Sequence, residues 1–220
     1  MDEHGQRQVD AVVFDFGGVL TTTVTEFIAH WIHTDDIDHD HYRTVMRSWL
    51  GRDAAEGNPL HQLEIGALPV AEFERALAAR LRTRDGRPVP AAGLVSRMFA
   101  AAVPDPAMID LVDAVRAAGL HVGLLSNSWG ESYPEDLLAR LCDTVVISGR
   151  VGLRKPDPRI YHHLLDRLGL PAQRCVFVDD APPNVAAAHA VGMHAIHHTS
   201  AATTRAALAQ FVPHLSEVAP

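Results

Sequence analysis

Five short runs along the chain are largely apolar rather than alternating: Ala11–Phe14, His121–Leu125, Val145–Ile147, Cys175–Val178 and His194–His197. Runs of this kind suit strands covered on both faces of a parallel sheet. Each of the first four stops at small or polar residues: Asp15-Phe16-Gly17-Gly18, Ser126-Asn127-Ser128, Ser148-Gly149 and Asp179-Asp180. Helices separate them and have readable ends. Asp105-Pro106 and Asp157-Pro158 each set a capping carboxylate before a proline at the first helical position. Gly119, Gly169 and Gly192 each stand where a helix closes before the next strand.

Repeated strand–helix alternation implies right-handed crossovers and an α/β fold, a doubly wound parallel sheet with a Rossmann-like core. Ligands of such sheets bind at the carboxyl ends of the strands, where Asp15, Ser126 and Asp179-Asp180 fall. The stretch from Thr22 to Ala102 breaks the rhythm. It holds no strand pattern and reads as several helices, for example Ala71 to Arg82, punctuated by Gly51, Gly57, Pro59, Gly66, Pro69 and Gly86-Arg87-Pro88. The expected division is a core of residues 1–21 and 103–220, with a helical cap, 22–102, inserted after the first strand.

Composition narrows the partners. The 220 residues carry a formal charge of −8, which disfavours nucleic acid and anionic membranes, since both select basic surfaces. Two cysteines, Cys142 and Cys175, make neither a disulfide framework nor a zinc pattern. Met1 to Gln8 are polar and no apolar run approaches the roughly 18 residues of a membrane span, so a cytoplasmic protein is expected.

Four segments carry candidate chemistry. Asp15, followed by Gly17 and Gly18, is a carboxylate aimed into a crevice with close backbone approach available. Alone it reads better as a turn residue. Ser126 and Asn127 offer a hydroxyl and an amide that can hold phosphate oxygens. Lys155 places a positive charge before a helix N-terminus, where charge and dipole both favour an anion. Asp157 beside it reads as a helix cap. Asp179 and Asp180 are adjacent carboxylates at a buried strand end, costly unless they bind a cation. With Asp15 they make a hard, all-oxygen site suited to Mg2+.

In this order the segments resemble the four motifs of the haloacid dehalogenase-like hydrolase superfamily, in the branch with a helical cap after the first strand. Lys155-Pro156-Asp157-Pro158 with Tyr161, and Phe177-Val178-Asp179-Asp180 with Asn184 and Gly192-Met193, carry the branch likeness. Asn58-Pro59-Leu60-His61 through Glu64, Gly66 and Phe73 resembles the epoxide-hydrolase-phosphatase-like subgroup. The resemblance implies a magnesium-dependent phosphatase acting on a small phosphorylated metabolite. Asp15 would attack phosphorus and form an aspartyl-phosphate that water hydrolyses. The metal would be held by Asp15, the Gly17 carbonyl and Asp180, with Asp179 direct or through water. Ser126, Asn127 and Lys155 would grip the phosphoryl group.

One departure stands out. Phosphatases of the family usually carry a second Asp two residues after the nucleophile as general acid and base, and here that position is Gly17. Loss of such a group typically costs about 10²- to 10⁴-fold. A cap histidine, His61 foremost, is the substitute the sequence offers, although most such histidines are structural. Two alternatives follow. One is a dehalogenase in which Asp15 attacks carbon without metal; the other is a weakened phospho-ligand-binding protein. The run from Asp35 to His41 is expected to be a solvated acidic loop.

Overall fold

A computed structural model describes residues 8–50, 55, 57–130 and 133–216. Met1 to Arg7 and Gly51, used in the sequence reading, lie outside the described residues. Among the described residues the sheet has five strands: β1 (Ala11–Phe14), β2 (His121–Ser126), β3 (Thr144–Ile147), β4 (Cys175–Asp179) and β5 (His194–His197). All pairings are parallel, in the order β3-β2-β1-β4-β5. The chain builds outward from β1 to β2 and β3, then crosses back to β4 and β5. The switch of direction therefore lies between β1 and β4, where Phe14 is in register with Val178.

Period-two alternation divides the strands between two cores. Val12, Phe14, Val122, Leu124, Val176 and Val178 face one side. There they meet α6 (Pro106–Ala117), α7 (Glu135–Leu141) and α11 (Ala201–Leu208). Ala11, Val13, Leu125, Cys175 and Phe177 face the other, against α9 (Pro158–Leu168) and α10 (Pro182–Ala190). Both cysteines are free and buried. The caps are as the sequence indicates: Asp105 accepts from the N–H groups of Ala107 and Met108, and Asp157 from that of Arg159.

Among the described residues five helices lie between β1 and α6: α1 (Val24–Thr34), α2 (His39–Leu50), α3 (Pro59–Glu64), α4 (Val70–Ala78) and α5 (Leu94–Met98). They enclose a third apolar cluster that includes Trp31, Trp49, Leu60, Phe73, Leu77 and Met98. The helix expected from Ala71 to Arg82 ends at Ala78. The chain beyond it pairs elsewhere: the Arg82 carbonyl accepts from the Asp38 N–H at 2.9 Å, and Thr83 bridges Ile37. The Asp35 to His41 run is likewise more than a solvated loop. Asp35 accepts from Trp31 Nε1 (2.9 Å) and Arg97 Nε (2.7 Å), while Asp38 accepts from the His41 N–H at the start of α2. Among the described residues no helix is long and apolar enough to cross a membrane.

Candidate active site

Asp15 leaves β1 at the switch point, anchored by its N–H to the Val178 carbonyl (2.9 Å). Its Oδ1 accepts from the Phe16 N–H at 2.7 Å and lies 2.9 Å from Lys155 Nζ. Oδ2 takes no hydrogen bond among the described residues. Lys155 sits between the short helix α8 (Ser148–Val151) and α9, and is 1% exposed. Besides Asp15 it reaches Asp179 Oδ2 at 2.6 Å and the Leu125 carbonyl at 2.9 Å. Three donors thus meet three oxygens, so the ammonium is fully used.

Asp179 is entirely buried and saturated. Its Oδ1 accepts from the Ala181 N–H and from Asn184 Nδ2, and its Oδ2 from Lys155 and Asn184. Asp180 is half-buried, and Gly18 is shaped to its approach. A Cβ at Gly18 would lie 2.6 Å from Asp180 Oδ2, and the residue has φ +79°. Glycine is the one residue free of both penalties. Asp15, Asp179 and Asp180 bring carboxylate oxygens within 4.8 Å of one another, the one such acidic or ligand-bearing group among the described residues.

Three carboxylates and one ammonium leave two net negative charges, a count that fits a divalent cation. The electrostatics agree. Burial, aided by Asp179 and Asp180 and opposed by Lys155, pushes the Asp15 carboxyl up to about 7. Burial and the neighbouring Asp179 raise Asp180 as well. Burial alone would lower Lys155, but Asp15 and Asp179 overturn that and hold its ammonium above the ordinary value. A dense acidic group with raised carboxyls is one that a cation would stabilise.

The other expected residues gather here, each with partners of its own. Ser126 ends β2, its hydroxyl 2.9 Å from Tyr133 Oη. Asn127 clamps the Lys155 loop: Oδ1 accepts from the Lys155 N–H (2.8 Å) and Nδ2 donates to the Lys155 carbonyl (3.0 Å). Gly17 lines the cavity above the carboxylates, and a Cβ there would meet nothing within 4 Å. His61 is absent from the residues lining that cavity. Burial and the adjacent Arg154 lower its pKa. Tyr161 is a buttress, donating from Oη to the Asn184 carbonyl at 2.9 Å.

Sequence reasoning passed over Tyr133 and Trp129, and used Asn184 only as part of the branch likeness, with no role for its side chain. Asn184 holds Asp179 from the first turn of α10. Tyr133 and Trp129 follow Ser126-Asn127 by only a few positions, and two aromatics in a loop just past a candidate anion site were the available signal. Burial pushes the Tyr133 phenol up to about 12.

The family model described as haloacid dehalogenase-like hydrolase matches residues 9–192, and the chain belongs to this family. It is 33% identical over 213 residues to the sesquiterpene phosphatase astK of Aspergillus oryzae, covering 92% of this chain and 96% of that protein. It is 27% identical over 197 residues to the acyl-CoA dehydrogenase family member 10 of Mus musculus, covering 87% of this chain. The chain spans only 18% of that longer protein. Among solved structures, a HAD-family enzyme from Bacteroides thetaiotaomicron, complexed with magnesium and inorganic phosphate, superposes with TM-score 0.63 at 18% identity. That match covers 87% of this chain and 94% of the other and establishes the common fold.

Proposed function

We propose that this hydrolase is a magnesium-dependent phosphomonoesterase with Asp15 as nucleophile. The observation that carries the reading is the placement of Asp15 at the β1–β4 switch point, 2.9 Å from a buried ammonium and beside two further carboxylates. The phosphatase name borne by the Aspergillus oryzae relative supports it.

Lys155 holds Asp15 Oδ1 and leaves Oδ2 as the attacking oxygen. Attack on phosphorus breaks the ester P–O bond, and the departing alkoxide or phenolate takes a proton from solvent, since Gly17 offers none. Water then cleaves the aspartyl-phosphate, releasing phosphate and regenerating the carboxylate. Lys155 and the Ser126 hydroxyl offset charge on the phosphoryl oxygens. Asp15, Asp180 and the Gly17 carbonyl would hold Mg2+, with Asp179, already saturated, contributing through water and by fixing Lys155. When bound, the metal supplies charge neutralisation between the carboxylate and the incoming phosphate.

Residues 22–102 are proposed to act as a cap over this site. The two crossings support that division: Thr21 bridges Pro104, and the Thr22 N–H donates to the Val103 carbonyl at 2.8 Å.

Phosphate release with and without Mg2+, in wild type and Asp15→Asn, tests the reading. Asp15→Asn should keep the fold and lose turnover; retention of more than about a hundredth of the wild-type rate removes Asp15 from the covalent role. Full activity in chelator, with chloride released from 2-chloropropionate, would favour carbon–halogen hydrolysis instead.

A further inference from the structure

Directly above Gly17, Ser126 and Asn127 lies a cavity of about 570 Å³. Phe16, Trp129 and Tyr133 wall it from the loops that follow β1 and β2, and Phe27 and Phe99 wall it from the helical insert. The rings form two contacting groups, Phe16 with Tyr133 and Phe27 with Phe99 and Trp129. Phe16 and Tyr133 centroids are 5.3 Å apart, Phe27 and Phe99 5.0 Å, and Phe99 and Trp129 5.6 Å. Among the described residues, no Asp, Glu, Lys, Arg or His lines the space.

Most of the polar groups that reach it are already engaged. Thr21 Oγ1 accepts from the Gly18 N–H and donates to the Thr22 carbonyl, and the Ser126 and Tyr133 hydroxyls bond each other. The Asn127 amide is tied to the Lys155 backbone. A polyol placed here would lose water and find few free partners, the Ser96 hydroxyl among them. A hydrocarbon would exchange water for aromatic faces. Position 17 adds to the room, because the space a side chain would take is open to the cavity.

We propose that the substrate is the phosphate monoester of a bulky apolar alcohol or phenol, whose organic body fills this aromatic cavity while the phosphoryl group meets Asp15. The proposal rests on the phosphomonoesterase reading and names its substrate class. It makes Phe27, Phe99 and Trp129 specificity-determining residues, remote from the reacting atoms.

The test holds leaving-group chemistry constant. Ethyl phosphate, glycerol 3-phosphate and 2-(2-naphthyl)ethyl phosphate are all esters of primary alcohols. The naphthyl ester should exceed ethyl phosphate in kcat/KM by on the order of 10²-fold, and glycerol 3-phosphate should show no such gain. Calorimetric binding of 2-(2-naphthyl)ethylphosphonate against ethylphosphonate, in Mg2+, should show a preference of the same order. Phe99→Ala should shrink both ratios several-fold. Because Phe99 packs within the insert, Phe99→Leu provides the same comparison if the alanine variant melts early. Equal values for the naphthyl, ethyl and glycerol compounds would overturn the apolar class while leaving the phosphatase reading intact. No phosphate release from any ester, nor from acetyl phosphate, would instead remove the phosphatase reading; the phosphonate comparison then still decides whether the cavity takes an apolar phospho-ligand.

Discussion

Lys155 and Asp179 form an ion pair of 2.6 Å in which the ammonium is 1% exposed and the carboxylate not at all. Removing one partner leaves a buried charge without compensation, which costs far more than the pair itself contributes. Lys155→Met should therefore lower unfolding free energy by about 3–5 kcal/mol. The double variant Lys155→Met/Asp179→Leu should recover much of that loss, by denaturant titration of all four members of the cycle. Additive losses would show that the pair does not act as a unit.

Protonation of Asp15 links stability to pH. Burial holds the folded carboxyl up to about 7, against 3.8 for the ordinary group. The folded protein therefore binds more protons than the unfolded chain between those values. In chelator this contribution is fully present below the ordinary value and is lost as pH rises through about 7. Mg2+ competes with that proton, so the magnesium-induced rise in Tm should grow between pH 5 and pH 8. Scanning calorimetry with Asp15→Asn as control checks it. A magnesium shift independent of pH in wild type would place the metal away from Asp15.

Gly17 and Gly18 should respond oppositely to a side chain. At Gly17 the backbone φ is ordinary and a Cβ meets nothing within 4 Å, so Gly17→Asp should fold with little change in Tm. The restored acid should raise turnover of alkyl phosphates more than that of aryl phosphates, since only the poorer leaving group needs the proton. If wild type shows no leaving-group dependence in the chemical step and Gly17→Asp adds nothing, another residue supplies the proton.

Gly18→Ala instead meets Asp180 Oδ2 at 2.6 Å from a left-handed backbone. It should cost about 1–3 kcal/mol and raise the magnesium concentration needed for half-maximal activity. Metal titrations of both glycine variants check the contrast.

The contact of the insert with the core depends on a second buried charge. Glu64 of α3 pairs with Arg154, next to Lys155, and the Glu64 carbonyl accepts from the Ser148 hydroxyl. Burial raises the Glu64 carboxyl, with Arg154 opposing. Arg154→Met should destabilise by about 2–4 kcal/mol and raise KM, as the face of the cavity formed by the insert loosens. Melting and steady-state kinetics measure both, and unchanged KM would separate this pair from the site.

Much of the fold was legible because its signals are local. An apolar run, a capping carboxylate before a proline and a glycine at a helix end each lie within a few residues of one another. Once the runs are read as parallel strands, Asp15, Ser126 and Asp179-Asp180 must share one edge, so the order of the motifs already implied a site. The end of α4 at Ala78 was not legible, because the competing partners, Ile37 and Asp38, lie some forty residues away.

The chain by itself determined the parallel sheet, the helical stretch between β1 and β2 and the gathering of Asp15 with Asp179 and Asp180 at the strand ends, since these follow from periodicity and order along the chain; a place for Lys155 beside them was implied by the family resemblance. Tertiary structure alone decided how those groups divide their work. Asp179 is saturated by Lys155, Asn184 and a backbone N–H, whereas Asp180 keeps the approach to Gly18. It alone also made one apolar cavity from Phe16, Phe27, Phe99, Trp129 and Tyr133, aromatics spread over more than half the chain. The physical reason is range. A hydrogen bond or ring contact forms between whichever groups packing brings within a few ångströms, and no local pattern records which distant residue will arrive there.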